Sequence, residues 1–317
     1  MNEMGRLVGM DEAGYGPNLG PLVMVASVWN TPGRPGEFDA WTEFADLLGS
    51  PPVASDRLSV GDSKAIYTAG GSLERLETSV LAFLQLCGLH PGGFRELCNL
   101  LSPAQEMSLG PAPWFSGPEV AIPITAESSK INGFAQRWAD RCDECGLGRP
   151  KVAARILTAA TYNTALEVDQ NKALLLSRNS LRLLAALVEP DAGHSTLVIC
   201  DKHGGRNRYD GLLSEAFGDQ LVLCREEGAD RSSYRLGSMD VWFQVKGERH
   251  FPVALASMVA KYTREVAMEA FNAYWAHECP GVKPTRGYPV DARRFRDDLG
   301  ERLEELGIAE SVFWRQK

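Results

Sequence analysis

The stretch Gly9-Met10-Asp11-Glu12-Ala13-Gly14-Tyr15-Gly16-Pro17-Asn18-Leu19-Gly20-Pro21 decides the fold of this chain. It follows the apolar pair Leu7-Val8 and precedes a longer apolar run at residues 22–29. Asp11 and Glu12 therefore fall at the end of a predicted strand, and the glycines and prolines turn the chain into a second strand. Carboxylates on a rigid sheet edge, beside a loop that a ligand can approach closely, suit a hard metal cation.

Composition and charge narrow the class of protein. The chain has 317 residues, of which 44% are hydrophobic and 23% charged, as in a soluble globular protein. No apolar run approaches the ~20 residues of a membrane helix. The N-terminus lacks a basic-then-apolar signal pattern, so we expect a cytoplasmic protein with no membrane partner. The net charge of -8 argues against a basic-coated surface, but a local basic patch is enough to hold the phosphates of a nucleic acid.

The cysteines give no strong signal. There are seven of them, and they are scattered along the chain. Cys142 and Cys145 form a lone CxxC, with no second pair at zinc-site spacing. We expect reduced structural thiols, with zinc binding or redox use as the alternative.

The pattern of apolar residues predicts an α/β protein with a mixed central sheet flanked by helices. Strands are expected at residues 6–10, 22–29, 151–166, 196–200, 220–224 and 240–246. Helical spacing is found at residues 38–48, 72–86, 129–142, 169–188, 209–217, 252–277 and 292–306. Residues 90–150 are rich in Gly and Pro and are expected to form an insertion or a small subdomain.

Acidic residues fall at three ordered places. Asp11 and Glu12 end the first strand, Asp201 ends the strand at 196–200, and Glu265 lies inside the long helix. Two strand ends and a helix packed on the same sheet can bring these groups to one point. Four carboxylates at one point require counter-charge, so the cluster implies divalent metal. Two Mg²⁺ ions roughly 4 Å apart would activate a water and stabilise the leaving oxygen of a phosphodiester.

Each of these features also has a purely structural interpretation. Asp11 or Asp201 alone is typical of a strand-end turn. Glu265 alone is typical of a solvated helix residue, and it would pair with Lys261 one turn earlier. Residues 14–20 contain three glycines, but their spacing is not the GxGxxG of a dinucleotide site, and two prolines disrupt the helix that should follow.

Five motifs resemble those of type 2 ribonucleases H, the ribonuclease HII/HIII family. They occur in the family's order and span nearly the whole chain. They are residues 9–22, Gly61-Asp62-Ser63-Lys64, Val198-Ile199-Cys200-Asp201, Ala256-Ser257-Met258-Val259-Ala260-Lys261-Tyr262-Thr263-Arg264-Glu265, and Gly287-Tyr288-Pro289.

The resemblance implies a fold and a metal site. The fold would be a single RNase H-like domain over residues 1–317, with a mixed central sheet, a C-terminal helical part and the insertion at 90–150. The catalytic and metal-binding carboxylates would be Asp11, Glu12, Asp201 and Glu265. The cofactor would be Mg²⁺ or Mn²⁺ in a two-metal site.

The resemblance also implies a substrate, which is nucleic acid. The enzyme would hydrolyse the RNA strand of RNA/DNA hybrids, or cleave at ribonucleotides embedded in duplex DNA. The backbone at Gly14, Tyr15 and Gly16 would approach the 2′-hydroxyl. A backbone phosphate would be held by Asp62, Ser63 and Lys64, and Tyr288 would stack on a sugar. The alternative is a nucleic-acid-binding protein on the same fold that has lost cleavage. No protein partner is inferable.

Two residues depart from the family pattern, and one segment is missing. Tyr15 stands where type HII has arginine, so a guanidinium contact to phosphate is lost. The fourth acid is usually Asp, but Glu265 stands here. No Lys-Ala-Asp segment precedes the long helix, and the sequence most similar to it is Gly228-Ala229-Asp230.

The region after the third acid leaves two alternatives open. Asp210-Gly211 rivals Asp201, because the family strand often ends in Asp-Gly. We prefer Asp201, which directly ends the apolar strand. Residues 202–209 are rich in cations and glycine without a family counterpart. They suit a phosphate loop or an exposed basic turn equally well.

Overall fold

The computed structural model describes residues 4–54, 56–67, 71–102, 109–191, 193–218 and 220–316. The strands in these ranges are β1 (Met4–Ala13), β2 (Leu22–Pro32), β3 (Leu48–Gly49), β4 (Leu58–Ser59), β5 (Lys151–Leu157), β6 (Ser195–Asp201), β7 (Leu223–Glu227), β8 (Arg231–Leu236) and β9 (Met239–Gln244). The helices are α1 (Ala40–Glu43), α2 (Ser63–Ile66), α3 (Glu74–Leu86), α4 (Phe94–Leu101), α5 (Ser128–Glu144), α6 (Ala159–Asp169), α7 (Lys172–Ala185), α8 (Asp210–Phe217), α9 (Phe251–Glu278), α10 (Pro289–Leu299), α11 (Arg302–Glu305) and α12 (Glu310–Phe313).

The central sheet is mixed, with the strand order β5-β2-β1-β6-β9-β8-β7. β1 and β2 form the predicted antiparallel hairpin, and β5 extends it on the outer side. β6 runs parallel to β1, and β9 runs parallel to β6. The carboxyl ends of β1 and β6 therefore lie side by side at one edge of the sheet.

Helices cover both faces of this sheet. On one face, buried side chains of β1 and β2 pack with those of α3 and α9 in one apolar cluster. On the other face, a second cluster joins β1, β2 and β6 to α6, α7 and α8. Together with the C-terminal helices after α9, this confirms the predicted α/β class with a mixed central sheet flanked by helices.

The long helix α9 lies directly on the central strands. Its N-terminus is fixed to β2 because the Ser27 hydroxyl donates to the carbonyl of Pro252 at 2.7 Å. Proline is accommodated there because the first turn of a helix has no partner for its N–H groups. No helix in the described ranges is long and apolar enough to cross a membrane.

Several predicted boundaries are wrong. Of the helix predicted at 38–48 only Ala40–Glu43 is helical, and the strand predicted at 220–224 is found at Leu223–Glu227. Residues 151–166 are not one strand, because Thr158 ends β5 and caps α6, with its side chain accepting from the Thr161 N–H at 3.5 Å. The helix predicted at 169–188 begins later, at Lys172, after Asn171 caps it. The helix predicted at 292–306 is divided into α10 and α11 at Gly300. β8 forms where no strand is predicted, since its pairing with β9 outweighs its polar composition.

The segment predicted as an insertion packs on the same core as the sheet. Trp138 of α5 lies 6.3 Å from Trp29 of β2, ring centre to ring centre. Glu77 of α3 is fully buried and accepts from the backbone N–H groups of Ile124 and Ala126 at 2.7 Å each. Residues 103–108 of this segment lie outside the described ranges. The segment's status as an insertion or subdomain stays a prediction.

Candidate active site

Three of the four predicted acids meet at the edge formed by β1 and β6. Asp11 and Glu12 follow Met10, which pairs with Cys200 directly before Asp201. All three line a cavity of about 340 Å³. The parallel pairing of the two strands is what places acids that are far apart in sequence beside one another.

The carboxylates of this cavity disfavour each other's ionisation. Burial, reinforced by the charge of Asp201, raises the pKa of Asp11 to about 7, although hydrogen bonds from Ser257 and the Glu12 backbone oppose the rise. Burial and the neighbouring Asp11 raise the pKa of Glu12 well above its usual range. The pKa of Asp201 is also raised by burial and by Glu248, against the hydrogen bond from the backbone of Gly247. The cluster therefore requires positive charge to be fully ionised.

Glu248 is a further acid of this cavity, and the sequence interpretation missed it. It lies between β9 and α9, where the backbone N–H of Gly247 donates to Asp201 Oδ1 at 2.8 Å. A Cβ atom on residue 247 would lie 3.1 Å from the Asp201 Cα, so glycine permits this close approach. The available signal was Lys246-Gly247-Glu248, an acid in a segment directly before the long helix.

Two alternatives considered from the sequence do not line this cavity. Gly228-Ala229-Asp230 forms the turn between β7 and β8. Asp210 is the exposed first residue of α8. Among the described residues the cavity lining includes neither Asp230 nor Asp210, which favours Asp201 as the third acid.

Glu265, the predicted fourth acid, is placed differently. Its carboxylate accepts from Lys261 Nζ at 2.7 Å and lies 3.6 Å from Arg264 Nη1. It is not among the residues that line the cavity. This is the helix pairing that was the structural alternative for Glu265, and its role as a metal ligand stays a prediction from the resemblance.

The predicted substrate-binding residues all line the same cavity. They are Gly14, Tyr15, Gly16, Asp62, Ser63, Lys64 and Tyr288. Asp62 caps α2 by accepting from the Lys64 N–H at 2.9 Å, and the Ser63 hydroxyl lies 3.2 Å from that of Ser257 on α9. Lys64, Lys261 and Arg264 bring positive charge to the walls of the acidic cavity.

Two buried arginines donate hydrogen bonds to backbone carbonyls of the glycine loop after β1. Gly14 has a φ of 92°, which favours glycine. Arg264 Nη2 donates to the carbonyl of Leu19 at 3.3 Å. Arg315 Nη2 donates to the carbonyl of Gly14 at 2.6 Å and also to that of Pro17.

Arg315 is unusual because its charge is buried without a carboxylate partner in the described part of the chain. Its side chain is 1% exposed, and its Nε and Nη1 have no hydrogen-bond partner. The guanidinium packs 5.0 Å from the ring centre of Tyr162. Burial and the nearby Arg264 lower the pKa of Arg315 to about 9. An isolated arginine near a chain end carries no sequence signal, so this contact was not predicted.

The donor set of the cavity fits a divalent cation in chemistry and charge. Asp11, Glu12, Asp201 and Glu248 offer only hard oxygen ligands, which Mg²⁺ and Mn²⁺ prefer. Among the described residues, no three His, Cys, Asp or Glu side chains form a ready-made metal-binding group. These carboxylates would therefore have to rotate toward a common point to bind a metal.

Comparisons with known proteins give matches only among solved structures. No family model and no curated protein matches the chain. The ribonuclease H2 of Pyrococcus horikoshii OT3 is 14% identical, with a TM-score of 0.48, and the match covers 97% of this chain and 92% of that one. The RNase HII in a PCNA:RNase HII complex from Archaeoglobus fulgidus is 15% identical, with a TM-score of 0.43 and coverage of 98% and 94%. Bst-RNase HIII in complex with Mn²⁺ is 18% identical, with a TM-score of 0.38 and coverage of 97% and 68%. These three structures are of ribonucleases of the kind that the sequence motifs resemble.

Proposed function

We propose that this chain is a divergent type 2 ribonuclease H. It would hydrolyse the RNA strand of RNA/DNA hybrids or cleave at ribonucleotides embedded in duplex DNA. The observation that carries the proposal is the meeting of Asp11, Glu12, Asp201 and Glu248 in one cavity. The glycine loop after β1, which includes Gly14, forms part of the same wall.

Asp11, Glu12, Asp201 and Glu248 would hold Mg²⁺ or Mn²⁺. When bound, the metal supplies activation of the attacking water and stabilisation of the leaving oxygen. The raised pKa values of Asp11 and Glu12 support this assignment, because a divalent cation would offset the repulsion between these buried carboxylates.

The remaining lining residues would bind and orient the substrate. Lys64, on the turn that Asp62 caps, would contact a backbone phosphate. The backbone of the loop at residues 14–16 would approach the 2′-hydroxyl, the group that distinguishes RNA from DNA. Tyr288 is 50% exposed and lies over Arg264, with 5.8 Å between its ring centre and the guanidinium carbon, so its outer face is available to stack on a sugar.

The direct test is cleavage measured side by side on three duplexes: an RNA/DNA hybrid, a DNA duplex with one embedded ribonucleotide, and an all-DNA duplex. We expect cleavage of one or both ribonucleotide-containing duplexes in Mg²⁺ or Mn²⁺ and none of the all-DNA duplex. Asp11→Asn should abolish cleavage while the circular dichroism spectrum is retained. Absence of cleavage of every ribonucleotide-containing duplex, over a series of divalent metals, would reject the enzyme.

A second candidate function is nucleic-acid binding without cleavage. It is favoured by one observation, the absence of a ready-made metal group among the described side chains. Under this alternative the wild-type protein binds the embedded-ribonucleotide duplex, and no divalent metal produces cleavage. Tight Mn²⁺ binding that Asp11→Asn eliminates would argue against it.

A further inference from the structure

We infer that Lys172 and Arg206, grouped around Tyr15, form a second phosphate-binding site at the rim of the acidic cavity, where they hold the backbone of a nucleic-acid duplex. The inference rests on the proposed function, since it names a further contact to the same substrate. Neither cation belongs to a motif that the resemblance covers.

Three separate segments of the chain bring these side chains together. Tyr15 lies in the loop after β1, Lys172 is the first residue of α7, and Arg206 lies in the loop after β6. Lys172 Nζ is 4.7 Å from the ring centre of Tyr15. The loop of Arg206 lies against α7, because His203 Nδ1 is 3.0 Å from the hydroxyl of Ser177. Burial, Tyr162 and Glu12 raise the pKa of Tyr15, and the charge of Arg206 opposes this rise.

The loop that carries Arg206 is anchored on both sides of it. The Lys202 ammonium is buried and donates to the side chain of Asn207 at 2.7 Å and to the carbonyl of Gly228 at 2.5 Å. The backbone N–H of His203 donates to the Tyr209 hydroxyl at 3.2 Å. Lys202 therefore has a structural role, and these hydrogen bonds fix the loop on both sides of Arg206.

Arg206 itself has no ionic partner among the described residues. In the described part of the chain no carboxylate lies within ion-pair distance of it, and its buried Nε has no hydrogen-bond partner. Arg208, two residues later, is by contrast 83% exposed and paired with Glu227 at 3.2 Å. A half-buried guanidinium with unused donors needs an anion, and a phosphate oxygen is the acceptor it suits best.

Lys172 is equally short of compensating charge. It stands at the first residue of α7, where the helix dipole repels a cation, and no acidic residue lies in that first turn. Among the described residues it forms no ion pair, and its side chain rests on the Tyr15 ring instead. Two uncompensated cations on neighbouring segments give the local positive patch that a chain of net charge -8 needs to hold a polyanion.

The test measures how binding depends on salt. Fluorescence anisotropy would follow binding of two labelled duplexes, one with a single ribonucleotide and one of DNA alone, in EDTA and over a KCl series. The proteins would be wild type, Arg206→Gln, Lys172→Gln and the charge-retaining Arg206→Lys. Arg208→Gln is the matched control, because it removes an arginine of the same loop that already has a partner. Thermal melting by circular dichroism would verify folding of each variant.

We expect Arg206→Gln and Lys172→Gln each to lower the slope of log affinity against log salt by about 1, equally on both duplexes, because each removes one phosphate contact. Arg206→Lys should restore the slope, and Arg208→Gln should leave it unchanged. If Arg206→Gln melts early, Lys172→Gln, which alters a partly exposed side chain, carries the test alone. Unchanged slopes with wild-type binding intact would overturn this inference and leave the proposed function standing. No binding of either duplex by the wild type would overturn both.

Discussion

Glu248 and Glu265 are the two candidates for the fourth ligand of the proposed metal, and a matched pair of substitutions separates them. We expect Glu248→Gln to reduce cleavage on the order of 100-fold or more, because loss of a direct ligand should exceed the 10–100-fold effect of an outer-shell change. Glu265→Gln keeps an oxygen for Lys261 and should change cleavage by less than about threefold. Single-turnover rates on the embedded-ribonucleotide duplex would measure both. The reverse order of effects would support the ligand set predicted from the resemblance.

The acids of the site differ in how far their positions could be predicted from the sequence. Asp11 and Asp201 were predictable because each ends an apolar strand and neighbouring parallel strands end at one edge. Glu248 was not, because its position depends on how the chain turns after β9 and on the close contact of Gly247 with Asp201. Helical spacing places Glu265 near the sheet but does not decide whether it faces the acids or pairs with Lys261.

Arg315 is expected to position the glycine loop. Its guanidinium donates to the carbonyls of Gly14 and Pro17, at the two sides of the loop. Arg315→Met should therefore weaken binding of the embedded-ribonucleotide duplex more than binding of the all-DNA duplex, as anisotropy titrations would measure. The effect on unfolding free energy should be modest, because losing the bonds costs about 1–3 kcal/mol while removing a buried charge offsets part of that cost.

Arg293→Met, on the exposed side of α10, is the control for this prediction. It should leave the binding of both duplexes unchanged. Arg315→Lys keeps the charge without the fork of donors, so partial recovery of discrimination would identify the geometry as the cause. An equal loss on both duplexes would show that Arg315 stabilises the fold without shaping recognition.

At the scale of elements, Glu77 fixes α3, α9 and the segment before α5 to one another. Its buried carboxylate accepts from the backbone N–H groups of Ile124 and Thr125 and from the Tyr262 hydroxyl, at 2.6–2.8 Å. We expect Glu77→Gln to lower the unfolding free energy by about 3 kcal/mol or more, because an amide leaves several of these donors unpaired. Urea unfolding curves would measure the change.

The same helix offers a matched control in Glu74. It is partly exposed, and its ion pair with Lys130 at 3.6 Å is of the surface kind. Glu74→Gln should change the unfolding free energy by less than about 1 kcal/mol. Equal effects of the two substitutions would mean that Glu77 does not hold these elements together. A third substitution, Tyr262→Phe, removes one donor to Glu77 and should cost about 1 kcal/mol.

The boundary between β5 and α6 shows why elements were predicted less well than acids. Residues 151–166 are apolar and β-branched, so periodicity alone reads them as one strand. The strand ends at Thr158 because its side chain accepts a hydrogen bond from the Thr161 N–H and so caps a helix. A single hydrogen bond of this kind is enough to favour a helix start over a continued strand. The start of α9 after His250 and the hairpin around residues 14–21 were predictable. Proline marks the start of the helix, and glycine and proline mark the turn of the hairpin.

At the scale of the whole molecule, stability should depend jointly on metal and pH. The pKa of Asp11 in the metal-free protein is raised to about 7, so between its unfolded value of 3.8 and that point the folded state holds the extra proton. As pH rises through this range the metal-free protein therefore loses stability, and the loss is complete above about pH 7. A bound divalent cation offsets the same repulsion and restores stability. The gain is largest above about pH 7, where Asp11 has already lost its proton and none has to be displaced.

We accordingly expect Mn²⁺ to raise the melting temperature relative to EDTA, with a larger rise at pH 8 than at pH 6. Binding below pH 7 must release the proton of Asp11, so Mn²⁺ affinity should fall roughly tenfold per pH unit there. Calorimetric titration in buffers of different ionisation enthalpy would count the protons released. Asp11→Asn serves as the control, because it removes one of the titrating ligands. It should reduce both the Mn²⁺ effect and its pH dependence, to which the raised pKa values of Glu12 and Asp201 also contribute. Equal melting temperatures in Mn²⁺ and EDTA at pH 8 would show that Asp11, Glu12, Asp201 and Glu248 do not assemble around a metal. The non-cleaving alternative would then be the better account of the molecule.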